Sequence, residues 1–207
     1  MRAERLAVLL SGRGSNFAAI ARSCAAGLIP IPIVAVVSNR PDAGGIQHAR
    51  EIGLPAHIVD HREYDSREKH EDAIARILHA AGADLIALAG YMRMLSPSFV
   101  DRFRHRIVNI HPSLLPSFPG VDAHAQAIAH GVKISGCTVH LVDDHMDGGP
   151  ILVQRAVEVT EDDSVESLSE RILGEEHVAY TDALAKLSRG YRVEGRKVIF
   201  EKMEDER

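Results

Sequence analysis

Tryptophan is absent from the 207-residue chain, and all aromatic residues together make up 4% of it. A carbohydrate- or nucleic-acid-binding face built on stacked rings is therefore not expected. There are only two cysteines, Cys24 and Cys137, and no Cys-x-x-Cys pair. That usage predicts buried thiols in a reducing, cytoplasmic compartment. No apolar run approaches the ~20 residues of a membrane span. The charged start Met1-Arg2-Ala3-Glu4-Arg5 leads into five apolar residues, too few for a secretion signal. Lys and Arg form no run, and the formal net charge is −5. A surface that tracks nucleic-acid phosphates is not expected either. The partners left are small molecules.

What is present is a sizeable core, with 45% apolar residues, enough for one domain. Leu6 to Leu10 is a continuous apolar run, as in a central parallel strand. A Gly-rich turn follows, and Ser15 or Asn16 is placed to cap a helix reaching Ala26. Strands are expected at 31–37, 56–59, 85–88 and 107–110, and helices at 43–52, 66–81 and 97–103. This alternation predicts an α/β fold with a doubly wound, mostly parallel sheet. The pattern then changes. Strands at 136–142 and 151–159 read as an antiparallel pair. One long helix runs from Ser164 to about Leu187, with Ser164 and Ser167 as caps. A small hairpin spans 191–200 around Glu194-Gly195, and a charged tail runs from 201 to 207. The expected sheet thus ends in an antiparallel C-terminal edge.

The most telling segment is Asn109-Ile110-His111-Pro112-Ser113-Leu114-Leu115-Pro116. On a strand, Asn109 and His111 point to the same side. They would project from a strand's C-terminal end, where open α/β sheets bind ligands. An amide donor beside an imidazole suits acyl-type transfer, in which an oxyanion needs donors and a proton must move. Pro112 ends the strand and Pro116 stiffens the loop beyond it.

Other segments converge on the same edge. Gly12 and Gly14, ahead of a helix N-terminus, suit a phosphate. They are a poor dinucleotide fingerprint, because Phe17 holds the third glycine position and no acid ends the second strand. Arg93, after the fourth strand, reads equally as a grip for a carboxylate or phosphate and as a surface arginine. Arg67 is a similar candidate. Thr138 and His140 share one face of a strand. Asp147 precedes Gly148-Gly149, and an Asp so held can share proton work with a His. The acids and His145 in loop 143–147 lack the ligand pattern of an EF-hand, so no metal is expected.

Taken in order, Gly14-Ser15-Asn16, Tyr91-Met92-Arg93, the Asn109–Pro116 block and Asp147-Gly148-Gly149-Pro150 resemble the formyltransferases that use 10-formyltetrahydrofolate. The resemblance runs from roughly Leu6 to Leu187. The Gly-Ser-Asn turn and Ser66-Arg67-Glu68 favour the branch that formylates glycinamide ribonucleotide (GAR). Relatives that formylate methionyl-tRNA usually carry Arg-Gly-Ala-Ala-Pro and a C-terminal domain. This chain has Phe118-Pro119-Gly120-Val121-Asp122 there and ends at residue 207. Formyltetrahydrofolate hydrolases carry an N-terminal regulatory domain, which is absent here.

The resemblance implies a single formyltransferase domain acting in purine biosynthesis, as monomer or homodimer, with no metal. Its halves would be 1–105 for the ribonucleotide and 106–190 for catalysis and folate, followed by a hairpin and tail at 191–207. It implies Asn109, His111 and Asp147 as the catalytic trio, supported by Thr138 and His140. It implies Gly14, Ser15, Asn16 and Glu176 at the ribonucleotide. At the folate it implies Arg67, Met92, Arg93, Leu95, Val142, Asp144 and Asp147. Ser117, Asp122 and Ala125 depart from the Lys, His and Arg of many relatives. Two rivals remain. In a small NADP reductase, Arg40 would meet a 2′-phosphate. In a nucleotide-sensing module the site would have decayed, yet Asn109, His111 and Asp147 are all present.

Overall fold

The computed structural model describes residues 1–201. In chain order the elements are β1 (Leu6–Leu10), α1 (Ser15–Ala25), β2 (Ile33–Ser38), α2 (Gly44–Glu51), β3 (Ala56–Ile58), α3 (Arg67–Ala80), β4 (Leu85–Leu88), α4 (Pro97–Arg102), β5 (Ile107–His111), α5 (Ala123–Ala129), β6 (Ile134–Leu141), β7 (Ile151–Glu158), α6 (Val165–Arg189), β8 (Tyr191–Glu194) and β9 (Lys197–Phe200). One sheet joins the strands in the order β3-β2-β1-β4-β5-β6-β7-β9-β8. The first five run parallel. β6 turns antiparallel to β5, and β7 antiparallel to β6. The expected parallel sheet with an antiparallel C-terminal edge is present.

β1 and β4 are buried along their whole length, because helices cover both faces. One core layer holds Leu6, Val8, Leu10, Phe17, Ile20 and the inner face of α6. The other holds Ala7, Leu9, Ile74, Leu78, Phe99 and Phe103. Alternate residues of β1 thus serve opposite layers, the period-2 rule of a strand. Strand order reverses at β1, whose neighbours are β2 and β4. Ligands of open α/β sheets bind at the carboxyl ends of the strands beside such a switch.

α6 is the longest helix. Ser164 and Ser167 close a reciprocal capping box at its start, a feature worth about 1 kcal/mol. Tyr180, fully buried on α6, sets its hydroxyl 3.0 Å from the carbonyls of both Leu88 and Val108. The helix is thereby tied to the end of β4 and the start of β5. Among the described residues, no helix is long and apolar enough to cross a membrane.

Three expectations need correction. Neither Ser15 nor Asn16 caps α1. Gly14 is the N-cap, at φ 81°, and no side chain caps the helix. A Cβ on Gly14 would lie 2.8 Å from Gly45 Cα, so glycine is required by both the positive φ and the close approach. Cys24 is half-buried rather than buried, although Cys137 is fully enclosed. α5 went unread, because its seven residues are mostly alanine with one large apolar side chain, Ile128, and follow Asp122 at φ 57°. Ala123 and Ala127 are buried, and Ile128 packs against the core. Of the charged tail, all but Glu201 lies outside the described residues.

Candidate active site

Four side chains from three segments meet beyond the end of β5. Asn109 and His111 project from one side of the strand, as its alternation requires. β6 lies alongside, with Asn109 opposite His140 and His111 opposite Thr138. Asp147 reaches in from the β6–β7 loop. Its Oδ2 lies 3.4 Å from His111 Nδ1, and its Oδ1 lies 3.7 Å from His140 Nε2. Asn109 Nδ2 lies 3.3 Å from His140 Nε2.

The hydrogen-bond partners fix the tautomers. His140 Nδ1 faces the Leu141 carbonyl at 3.0 Å, so it must donate. Its Nε2 is then free to accept from the Asn109 amide. Burial pushes the His140 pKa down, which keeps the ring neutral and in this role. His111 Nε2 faces the Phe118 carbonyl at 2.8 Å and must also donate. Its Nδ1 is left facing the Asp147 carboxylate, 3.4 Å from Oδ2.

Asp147 is held tightly. It takes φ 50°, and the Gly120 N–H donates to its Oδ2 at 2.8 Å. The next two glycines are obligatory. A Cβ on Gly149 would fall 1.8 Å from the Leu141 carbonyl oxygen, and one on Gly148 would fall 2.6 Å from His145 Cβ.

Thr138 has a different task. Its hydroxyl donates to the Ser113 carbonyl (2.7 Å) and accepts from Leu115 N–H (3.0 Å). Gln154, which the sequence did not single out, donates to Thr138 Oγ1 and to the Leu115 carbonyl. Together they fix the loop that brings Phe118 and Gly120 to His111 and Asp147.

At the end of β1, the first-turn N–H groups of α1 have no side-chain cap and are open to an anion. Asn16 Nδ2 donates to Glu176 Oε2 at 2.8 Å. Glu176 is buried, which pushes its pKa up. Gly14, Ser15, Asn16 and Glu176 are thus brought together by α1 and α6.

The loop after β4 is pinned at two points. Met92 N–H donates to Ser11 Oγ at 2.8 Å, and Ser11 donates to buried Asn39. Ser96 N–H donates to Glu71 Oε1 at 2.8 Å, and the Ser96 hydroxyl donates to the other oxygen. Glu71 was also missed. Its readable signal is a carboxylate one helical turn before Ile74 and two before Leu78, on the apolar face of α3. The Met92 side chain is 80% exposed, so only its backbone is fixed. Arg93 is half-buried and its charge reaches His70 and Tyr91. Leu95 and Val142 pack on the same apolar cluster. Arg67 stands exposed at the start of α3.

Val142 and Asp144 line a cleft of about 500 Å³ with Val100, Arg104 and Arg196. None of the four clustered side chains borders it. Asp143, Asp144 and His145 place potential ligand atoms within 4.8 Å of one another. Asp144 and His145 are exposed, and among the described residues no buried donor completes that group.

Residues 4–184 match the formyl transferase family model. The chain is 47% identical over 192 residues to a trifunctional purine biosynthetic protein adenosine-3 of Drosophila melanogaster, covering 91% of this chain and 14% of that one. It therefore spans about one-seventh of that relative's length. It is 40% identical over 175 residues to the phosphoribosylglycinamide formyltransferase of Escherichia coli (strain K12), covering 84% of this chain and 82% of that one. The crystal structure of glycinamide ribonucleotide transformylase 1 from Symbiobacterium toebii superposes with a TM-score of 0.94 at 46% identity, covering 97% and 95% of the two chains. The chain belongs to the formyl transferase family.

Proposed function

We propose that the protein moves the formyl group of 10-formyltetrahydrofolate to the amine of 5′-phosphoribosylglycinamide, a step of purine biosynthesis. The products are N-formyl-GAR and tetrahydrofolate. The observation that carries this reading is the cluster of Asn109, His111, His140 and Asp147, with Asp147 Oδ2 3.4 Å from His111 Nδ1. The names of the full-length relatives supply the acceptor.

In this reading the amine attacks the formyl carbon and a C–N bond forms. The developing oxyanion is met by the second N–H of Asn109, the first being engaged by His140, and by His111 through Nδ1, its Nε2 being engaged by the Phe118 carbonyl. One such donor is worth ~10²–10³ in rate. Asp147, directly or through water, takes the proton of the attacking amine. A proton then reaches N10 as the C–N10 bond breaks. The step draws on no metal and no covalent enzyme intermediate.

The substrates divide between the strand ends. The open turn at Gly14, Ser15 and Asn16 holds the phosphate, and Glu176 the ribose. The backbone at Met92, the apolar surface of Leu95 and Val142, and the wall at Asp144 and Asp147 hold the folate ring. Arg67 and Arg93 meet its carboxylates. Residues 1–105 serve mainly the ribonucleotide and 106–190 the chemistry, with one sheet running through both.

The test is the absorbance of deformylated folate when the protein meets a 10-formylfolate analogue with and without GAR. Turnover that requires GAR is expected. Turnover without GAR would make the protein a hydrolase, and analogue binding without turnover would send the search to another amine.

A further inference from the structure

We infer that Arg13 and Arg22 form a cationic wall that sets the specificity of the site for a phosphorylated acceptor. This rests on the reading above, which seats the phosphate at Gly14–Asn16. A cleft of about 270 Å³ continues from that turn. Its walls are Arg13 and Ser15 from the turn, Ala18 and Arg22 from α1, His48 from α2 and Leu173 from α6. Residues 15, 18 and 22 share one helical face, so Arg22 lies along the same wall as the open turn. Long side chains on a helix lean toward its N-terminus, which carries the Arg22 guanidinium toward the phosphate seat.

The charges in the cleft are of one sign. Among the described residues, neither Arg13 nor Arg22 enters an ion pair or a side-chain hydrogen bond. No acid lines the cleft; Glu176 is engaged by Asn16, and Glu51 faces His48 at 3.9 Å. The charge of Arg22 is felt at His177 on α6, whose pKa falls chiefly through burial and then through that arginine. α6 itself offers the cleft only Leu173, one turn before Glu176, so the cations come from α1 and its turn.

α2 adds to the same field. It begins within contact of Gly14, and no side chain caps it. A phosphate monoester carries about −1.5 to −2 charges at neutral pH. One helix end offers about half a charge, far short of that. Arg13 and Arg22 bring the local positive charge close to the amount required. In a chain of net charge −5, they also give an anionic acceptor a local attraction that the whole molecule does not.

The ligand class is a phosphate monoester at the far end of the acceptor from its amine. The test uses purified protein and two acceptors, GAR and its dephosphorylated riboside. The variants are Arg22→Gln, Arg22→Lys and Arg13→Gln, each checked for an unchanged melting temperature. Arg22→Gln is expected to raise KM for GAR roughly three- to tenfold, with the change in KM rather than kcat. Arg22→Lys should recover most of that affinity. Neither substitution should alter KM for the riboside. Inorganic phosphate should inhibit the wild type in competition with GAR, and inhibit Arg22→Gln less. Unchanged KM in both Gln variants overturns the inference, as does an equal penalty with the riboside. Failure of the wild type to turn over GAR at all would sink the acceptor reading itself, a separate and distinguishable result.

Discussion

His111 Nδ1 lies 3.4 Å from Asp147 Oδ2, bringing a residue of β5 and one of the β6–β7 loop together. The other ring nitrogen of His111 is committed to the Phe118 carbonyl. The loop carrying Phe118 and Gly120 therefore orients both members of the pair. Gly120 N–H holds the carboxylate, and the Phe118 carbonyl holds the ring.

Asp147→Asn keeps the side chain's shape and removes its capacity to accept the proton. The expected result is a fall in kcat of about 10²–10⁴-fold, with folate-analogue affinity within a few-fold of wild type. Steady-state kinetics and equilibrium binding on one preparation check it. Survival of kcat within a few-fold would remove Asp147 from the proton path.

Gly149→Ala forces a Cβ to within 1.8 Å of the Leu141 oxygen. No rotamer relieves a clash with backbone. We expect a destabilisation of about 4 kcal/mol, at the upper end for one substitution. Urea unfolding midpoints measure it. A loss below about 1 kcal/mol would mean the turn is free to rearrange.

Thr138→Val leaves the Leu115 N–H and the Ser113 carbonyl without their hydroxyl partner. An unsatisfied buried group costs about 1–3 kcal/mol. The melting temperature should drop. Activity should fall too, because the same loop carries Phe118 and Gly120. Normal kcat in a destabilised Thr138→Val protein would separate loop anchoring from catalysis.

The pH profile of stability is set by five histidines. Burial pushes His70, His105, His124, His140 and His177 below their ordinary value of 6.5. Their folded forms bind fewer protons than the unfolded chain below that pH. They therefore contribute stability that is present above pH 6.5 and is lost as pH falls through the lowered values. Glu176, with its raised pKa, acts in the opposite sense, as one group against five. At the alkaline end, burial raises the Cys24 and Cys137 pKa values from 9.0 to about 11 and about 12. That contribution is present below pH 9 and is lost as pH rises through the raised values. Maximal stability is expected between about pH 7 and 9. Urea midpoints across pH 5–10 test this, and a maximum near pH 5 would contradict it.

The amino-acid sequence by itself determined the elements whose signals are local. Apolar runs marked β1 and β4, and the change from parallel alternation to a hairpin pattern marked the C-terminal edge. The Asn109-x-His111 spacing already put both side chains on one face, because a strand has period two. Ser164 with Ser167 announced the start of α6 through capping chemistry. The departures at Ser117, Asp122 and Ala125 were visible as departures, but not as the loop, helix cap and helix they occupy. Only the tertiary structure decided how the site is held. Phe118 and Gly120 act through backbone atoms, which carry no side-chain signature. Thr138, Gln154 and the Ser113–Leu115 loop are separated in sequence and meet through sheet register. Glu71 clamps Ser96 across 25 positions. The tautomers of His111 and His140 depend on which carbonyls face their rings. Those are long-range facts, set by the packing of β5 against β6 and of α6 across both, and no local pattern encodes them.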